Sequence, residues 1–328
     1  MTQVTPTGPQ DPSAAVVSAT GESVTTAEVA QAAKKTNLRE YGIVGALVAI
    51  VILFQVLTGG KLLMPDNVAS LFQQNAYVMV LAIGMVMVII AGHIDLSVGS
   101  IVAFIGGVLA IAMINWNLPW IVAVLIGLAL GVAIGAWQGF WVAYVGVPAF
   151  IVTLAGMLIF RGMAILIVGE TIAGLPSGFV GISNAGLLGV LGYAGAADML
   201  TLVIGIVAII AFVFSQLRTR RTMTSHDLRV EPAAMFLTKL VGVSVLIAVF
   251  TWILAQSAIG TPYVLILVAV LIFAYAFLMG RTVFGRHIYA IGGNVHAAVL
   301  SGVNVKTMNF RIFINIGLLA AVAAVVTT

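Results

Sequence analysis

The chain has 328 residues, 62% of them hydrophobic and only 7% charged, with a mean hydropathy of +1.20. So little charge cannot coat a water-soluble surface, and apolar runs of about 20 residues recur, each long enough to cross a hydrocarbon core as a helix. The composition excludes a soluble domain and predicts an all-α, polytopic membrane protein; the scattered net charge of +4 speaks for membrane orientation rather than nucleic acid, and the absence of cysteine removes disulfide scaffolds and thiolate chemistry.

Residues 1–38 are rich in Thr, Ser, Pro, Ala and Gln and have no long apolar run, unlike a secretory signal. They read as a disordered cytoplasmic tail, helical near Thr26–Leu38, with a partner-binding tail as the other reading. The transmembrane domain then occupies 39–328. Its nine apolar segments are drawn at Tyr41–Gly59, Val68–Ala91, Ser97–Ile114, Pro119–Tyr144, Pro148–Gly169, Met199–Leu217, Phe236–Gln256, Thr261–Gly280 and one opening near Arg311.

Charge fixes their direction. With Lys34, Lys35 and Arg39 inside, alternation puts the loops after Leu217 and Gly280 inside too. Of the 14 Lys and Arg, all except Lys61 and Arg161 then lie on the cytoplasmic side, as the positive-inside rule asks. The long connection from Glu170 to Asp198 falls outside.

The second and third segments meet at "AGHIDLSVGS", Ala91 to Ser100. A carboxylate is costly in hydrocarbon, so Asp95 must meet water, donors or a cation. Ser97, with Asp95 just before it, is placed to cap the incoming helix. Two readings stand: a tight turn whose Asp caps a broken or re-entrant helix, and a break lining a path or gate. Arg161 is the other charge within a span. Glu170 is nine residues on, too far for a same-helix pair, so an Asp95–Arg161 contact across a re-entrant turn is expected.

In the fourth segment Gly127, Gly131, Gly135 and Gly139 fall every fourth residue and make one side of the helix a groove. The groove suits close packing within the chain, or an interface between subunits or along a pathway. Trp137, Trp141 and Tyr144 read as headgroup-layer anchors.

After the eighth segment comes "FGRHIYAIGGNVHAAVLSGVNV". Asn294 serves as an N-cap, and Val295–Ser301 reads as a short helix ending before Gly302. Its small residues Ala297, Ala298 and Ser301 suit docking into a cleft on a soluble partner, against an ordinary loop. Enzymatic readings fail. His287 and His296 are nine apart, His93 stands alone, and His226 with Asp227 lies in a basic loop, so no metal-ligand spacing exists. There is no phosphate-binding GxxxxGK[ST] motif, and Asp95 has no second deep carboxylate for an aspartyl dyad. The rival to a permease reading is an ion-coupled secondary transporter of a small polar solute, with Asp95 as the coupling carboxylate.

These two motifs resemble the signatures of sugar-importing ABC permeases of the ribose/xylose type. "AGHIDLSVGS" followed by "GAWQGFWVAYVGVPAFIVTLAGMLIFRGM" is most similar to the multiple-monosaccharide subgroup, and the similarity runs from about Tyr41 to the last residue. The resemblance implies a homodimeric permease in a bacterial inner membrane, N-terminus cytoplasmic. Two cytoplasmic ATPase subunits would hold ATP and Mg, and a periplasmic sugar-binding protein would complete the importer. This chain would carry no cofactor, metal or catalytic residue. Segment 281–310 would be the coupling loop, with that role on Gly285, Arg286, Asn294, Ala297, Ala298 and Gly302. The "IDLSVG" motif would shape the core or the path around Asp95 and Ser97. Position 93 is His where ribose-type relatives usually carry Gly and xylose-type ones Glu, so no sugar contact is assigned there. The chain ends "NIGLLAAVAAVVTT" where the family continues, so C-terminal spans are expected to be missing, and a last span begun at Arg311 barely crosses the bilayer.

Overall fold

The structure is a computed structural model describing residues 45–169, 172–226, 228 and 230–328, together with Gly42 and an antiparallel strand pair, Val16–Val17 with Ser23–Val24. The rest of the tail, including Thr26–Leu38, lies outside the described residues, as do Lys34, Lys35, Arg39, Glu170, Asp227 and Arg229. Two compact units result, Met1–Leu63 and Met64–Thr328. The first holds helix α1, Gly45–Leu57. Its exit is tied by Gln55, whose Nε2 donates to the Gly60 carbonyl at 3.0 Å while its Oε1 accepts from Leu63 N–H at 3.0 Å.

The second unit comprises α2 Pro65–Ile90, α3 Val98–Ile114, α4 Trp120–Phe140 continued by a π turn Trp141–Val145, α5 Ala149–Val168, α6 Ser177–Asn184, α7 Met199–Ser225, α8 Ala233–Ala255, α9 Tyr263–Arg281, α10 Val283–Gly293, α11 Val295–Leu300 and α12 Val305–Thr327. Among the described residues seven helices are long and apolar enough to span a membrane, and α1 and α3 are shorter apolar ones. The chain is an all-α polytopic membrane protein with the expected number of apolar segments. Its described strands are two-residue pairs such as Gly186–Leu187 with Thr261–Pro262.

Proline starts many of these helices. Pro119, Pro148, Pro176, Pro232 and Pro262 occupy the N-cap positions of α4, α5, α6, α8 and α9, and Pro65 opens α2. A ring without an N–H gives up nothing at a helix start, where that donor has no intrahelical partner, and its fixed φ suits the turn into the helix.

The centre of the unit is α12. It packs against α4 and α2 and along α3, while α3 also packs on α5, α2 on α9, and α7 mainly on α8. Glycine makes the α4–α12 seam possible. A Cβ at Gly131 would lie 2.5 Å from the Gly317 carbonyl oxygen, one at Gly135 would overlap the Phe313 carbonyl, and one at Gly139 would press on Phe313 and Phe310. Gly127 instead admits Leu109 and Ile105 of α3. The groove is therefore filled from within the chain, by close backbone approach and the dispersion contacts it brings.

Two boundaries differ from those drawn on the sequence. Helix α12 opens at Val305 rather than near Arg311, so its 23 residues reach about 35 Å, a full crossing. The Asn304 side chain starts it by accepting from Thr307 N–H at 3.0 Å, which brings Lys306, Asn309 and Arg311 into the helix as a polar first turn and beyond. Helix α7 runs to Ser225, beyond Leu217, because Thr and Arg side chains can continue a helix into water where apolar ones are no longer needed.

Candidate functional site

Helix α2 ends in a Schellman motif. Gly92 takes the left-handed conformation (φ 81°) and donates to Ile89 O, and His93 N–H donates to Val88 O. The chain then alternates in an extended stretch. Ile94 and Leu96 point outward, whereas Asp95 (4% exposed) and Ser97 are buried. Helix α3 has 17 residues, about 26 Å, so residues 91–97 make up the remainder of a ~30 Å crossing. An extended backbone there suits apolar side chains on the outer face and polar ones turned into protein.

The buried side chains form a chain of hydrogen bonds. Gln138 Nε2 of α4 donates to Ser97 Oγ at 2.8 Å, and Ser97 Oγ donates in turn to Asp95 Oδ1 at 2.6 Å. Asp95 Oδ1 also accepts from Ser97 N–H at 2.8 Å, and Thr153 Oγ1 of α5 donates to Ile94 O at 3.3 Å. Gly156 makes room, since a Cβ there would overlap Gln138 Nε2. The turn is thereby fastened to α4 and α5; Asp95 Oδ1 finds both its donors on Ser97, whereas Oδ2 is buried without a hydrogen-bond partner. His93 lies at the same turn, its ring 5.9 Å from that of Phe313.

Two expectations are corrected. Ser97 occupies the N-cap position of α3 but makes no side-chain cap bond, because its hydroxyl is committed to Asp95 and Gln138. Asp95 and Arg161 are not brought together. Arg161 lies eight residues beyond Thr153 on α5, about 12 Å further along the helix, and is exposed. Among the described residues the ion pair found is Lys239 with Glu231, at 3.7 Å. Sequence reading missed Gln138 and Thr153. The usable signal was the amide itself, for a Gln inside a membrane helix needs a buried partner.

The network has a measurable consequence. Gln138→Ala removes the donor to Ser97 and leaves a void, which should cost about 1–3 kcal/mol. Asp95→Asn keeps an acceptor for Ser97 and should cost less than Asp95→Leu. Thermal unfolding in detergent reads both comparisons; equal midpoints for Asp95→Asn and Asp95→Leu would contradict the network.

Helices α10 and α11 form an elbow at the same end of the bundle. Thr282 Oγ1 caps α10 by accepting from Gly285 N–H at 3.3 Å. Gly285 is buried because a Cβ would overlap the Met279 backbone, and at Gly292 one would overlap the Ile90 carbonyl, so α10 lies directly on the ends of α9 and α2. Asn294 Oδ1 accepts from Ala297 N–H at 3.0 Å, capping α11. Gly302, in the left-handed conformation (φ 84°), donates to Val299 O, and Val303 N–H donates to Ala298 O, a second Schellman motif. The short helix and both its caps stand where the sequence placed them. Direction is the correction: Ala298 is 3% exposed and packs with Met308, Ile312 and Phe313, while Val295, Val299 and Leu300 face outward, Leu300 at 90% exposure. Arg286 and Ala297 are exposed, as is Tyr289.

The opposite end carries a latch. Asp198 Oδ2 caps α7, accepting from Thr201 N–H at 2.8 Å and Thr201 Oγ1 at 2.7 Å; Oδ1 accepts from Gly189 N–H at 2.8 Å. Thr261 Oγ1 donates to Thr201 Oγ1 at 2.9 Å, which ties the first turn of α7 to the α8–α9 connection. Burial pushes the Asp198 carboxyl up, but the donors of Thr201 and Gly189 outweigh it and hold it below its ordinary value. A lowered folded pKa gives stability that is complete above the unfolded value near 4 and disappears as pH falls through the folded value. Asp198→Asn should therefore flatten the acid limb of a stability–pH curve below about pH 4, leaving its shape near neutrality unchanged.

Chemically, neither region holds a nucleophile–base pair. Among the described residues no group of three or more His, Asp or Glu is placed to hold a metal ion. What the arrangement offers is a stiff turn inside a helix bundle and an exposed apolar elbow tied to it.

The family described as branched-chain amino acid transport system / permease component matches residues 67–328. The chain belongs to that family. The permease is 40% identical over 295 residues to the xylose transport system permease protein XylH of Haemophilus influenzae, covering 89% of this chain and 76% of that one. It is 38% identical to the Escherichia coli XylH over 299 residues, covering 89% and 72%. The Escherichia coli ribose import permease protein RbsC is 27% identical over 261 residues, covering 80% and 60%. No solved structure matches. The permease is thus a multi-pass transport subunit of the ribose/xylose type and not an enzyme.

Proposed function

We propose that this permease forms the translocation path of an ATP-driven monosaccharide importer in a bacterial inner membrane, closest to the multiple-monosaccharide subgroup. It works as a homodimer with two cytoplasmic ATPase subunits, which hold ATP and Mg, and a periplasmic sugar-binding protein. The carrying observation is the 40% identity to a xylose permease across 89% of the chain. The family description names branched-chain amino acids, but the two relatives at 40% and 38% identity are named for xylose. Xylose is accordingly the first substrate to test, and choice among sugars rests largely with the binding protein.

In this reading residues 1–38 are a cytoplasmic tail, 39–328 the permease domain and 281–310 the coupling segment. The elbow of α10 and α11 faces the ATPase. Val295, Val299 and Leu300 enter a cleft on the partner, with Arg286 and Tyr289 at its rim. Gly285, Asn294, Ala297, Ala298 and Gly302 give the elbow its shape. A push on α11 passes through α10 to Ile90, beside the Asp95 turn, and through Ala298 to Met308 of α12. ATP then drives transport because its bound and hydrolysed states bind the two permease conformations with different affinity. Asp95 and Ser97 hold the turn, and Arg161 faces the path or gate from α5.

The test is vesicles holding permease and ATPase, with binding protein and labelled D-xylose outside the transport site. Uptake that requires ATP and survives proton and sodium ionophores supports the importer. Uptake that follows an ion gradient without ATP, and fails in Asp95→Asn, transfers the function to an ion-coupled transporter.

A further inference from the structure

Helix α7 is longer than a membrane requires. Its 27 residues span about 40 Å, and Arg218 lies about 28 Å from Met199, at the far edge of a ~30 Å hydrocarbon layer. Arg218, Arg220 and Arg221 therefore stand in the headgroup layer, with Arg281 at the end of α9 beside them. The α7–α8 pair is open to lipid along most of its length, since little of either helix is buried by the rest of the chain. A wedge between α7 and α9 follows. It is a cleft of about 480 Å³ whose walls combine Phe214, Met223 and Leu228 with the guanidinium groups of Arg218 and Arg281.

A second cleft lies on the other side of the same helix turn, because Thr219 and Met223 line both. There Arg220 stacks over Phe236, its carbon 4.5 Å from the ring centre, and its Nη1 is buried without a hydrogen-bond partner. Lys239 faces the same cleft and pairs with Glu231, the one carboxylate among the described lining residues, at 3.7 Å. Two clefts with four cations, apolar walls and a single acid make an amphiphilic pocket at headgroup depth. No carboxylate is among the described residues lining the cleft of Arg218 and Arg281, so their guanidinium groups fit a phosphate oxygen, with the bidentate geometry that arginine favours.

We infer that the α7 tip is a binding site for an anionic phospholipid, with the phosphate between Arg218 and Arg281 and an acyl chain along Phe214 and Leu228. The apolar walls decide for a lipid over a free phosphate, which would leave them in water. The orientation proposed above serves only to name the leaflet, the cytoplasmic one; the binding chemistry does not depend on it or on the transported substrate. The site would seat the loosely packed α7–α8 pair against the bundle through lipid.

The experiment uses the permease alone in nanodiscs of phosphatidylcholine doped with phosphatidylglycerol, with retained lipid read by native mass spectrometry. Phosphatidylglycerol should be retained about tenfold over phosphatidylcholine, and Arg218→Gln with Arg281→Gln should abolish that preference. Arg218→Lys with Arg281→Lys should keep most of it, whereas Lys306→Gln with Arg311→Gln, the same charge removed elsewhere on that side, should leave it intact. Leu228→Glu places a carboxylate on the cleft wall and should weaken retention even if the Gln pair does not fold. Equal retention of both lipids overturns the inference, as does equal loss in the Lys306/Arg311 variant. So does competition by glycerol 3-phosphate as effective as that by the lipid. Because no ATPase or sugar is present, failure of the importer reading leaves this readout untouched.

Discussion

Leu300→Asp abolishes recovery of the ATPase with the permease while leaving the permease's own thermal midpoint unchanged. Leu300 is 90% exposed and Val299 55%, at the end of a six-residue helix held by the Asn294 cap and the Gly302 turn. Exposed apolar side chains on so short and so firmly fixed an element are the kind of anchor that carries binding energy, and losing such an anchor costs about 2 kcal/mol or more, roughly 30-fold in affinity. A carboxylate in its place adds an uncompensated charge at the contact. Ala298→Asp gives the opposite signature. Ala298 is 3% exposed and belongs to the same buried apolar cluster as Met308, Ile312 and Phe313, so the carboxylate is buried unpaired and destabilises the fold by about 3 kcal/mol or more. Both variants lose the partner, but only Ala298→Asp also lowers the unfolding midpoint. Pull-down on a tag together with thermal unfolding separates them, and ATPase retained by Leu300→Asp would remove the elbow from the coupling role.

Gly135→Leu should give no folded permease at all. Its Cβ would overlap the Phe313 carbonyl and lie 3.0 Å from Ile314 Cα, so the obstacle is backbone on the far side, which cannot rotate away. Even Gly135→Ala forces α4 and α12 apart and should cost about 1–3 kcal/mol, with loss of dispersion along the whole seam adding to it. Gly162→Ala is the matched control, since nothing lies within 4 Å of its Cβ. Size-exclusion profiles in detergent and thermal midpoints measure the contrast. A monodisperse Gly135→Leu protein of normal stability would mean that α12 does not occupy the groove.

The apolar segments were legible because a 20-residue apolar run has few other uses in a chain, and the glycine groove because a spacing of four is a helical face. What the groove receives was not legible. Its occupant, Phe313 to Ala321, lies far away in sequence and carries its own reciprocal glycine, Gly317, inside a stretch that reads as ordinary apolar span. The cap and turn of α11 were legible from Asn294 and Gly302, since single residues decide them. The inward turn of Ala298 was not, because six residues give fewer than two turns and no periodicity to orient them. The polar turn shows a third case. Asp95 and Ser97 announced themselves by charge and polarity in an apolar run, but a nearest-charge argument paired Asp95 with Arg161. The structure supplies it instead with the hydroxyl and the backbone N–H of Ser97, the hydroxyl being held in turn by the neutral amide of Gln138, and these groups cost less desolvation than a buried guanidinium.

The seam between α4 and α12 also sets a timetable. Roughly 180 residues separate Gly135 from Phe313, so at ~5–20 residues per second the groove waits about 10–40 s after synthesis before its occupant is made. During that interval the helices from α2 to α9 sit in the bilayer with their central surface unfilled. A nascent permease is therefore a long-lived open bundle, and α12, made long after the groove that receives it, acts as its keystone.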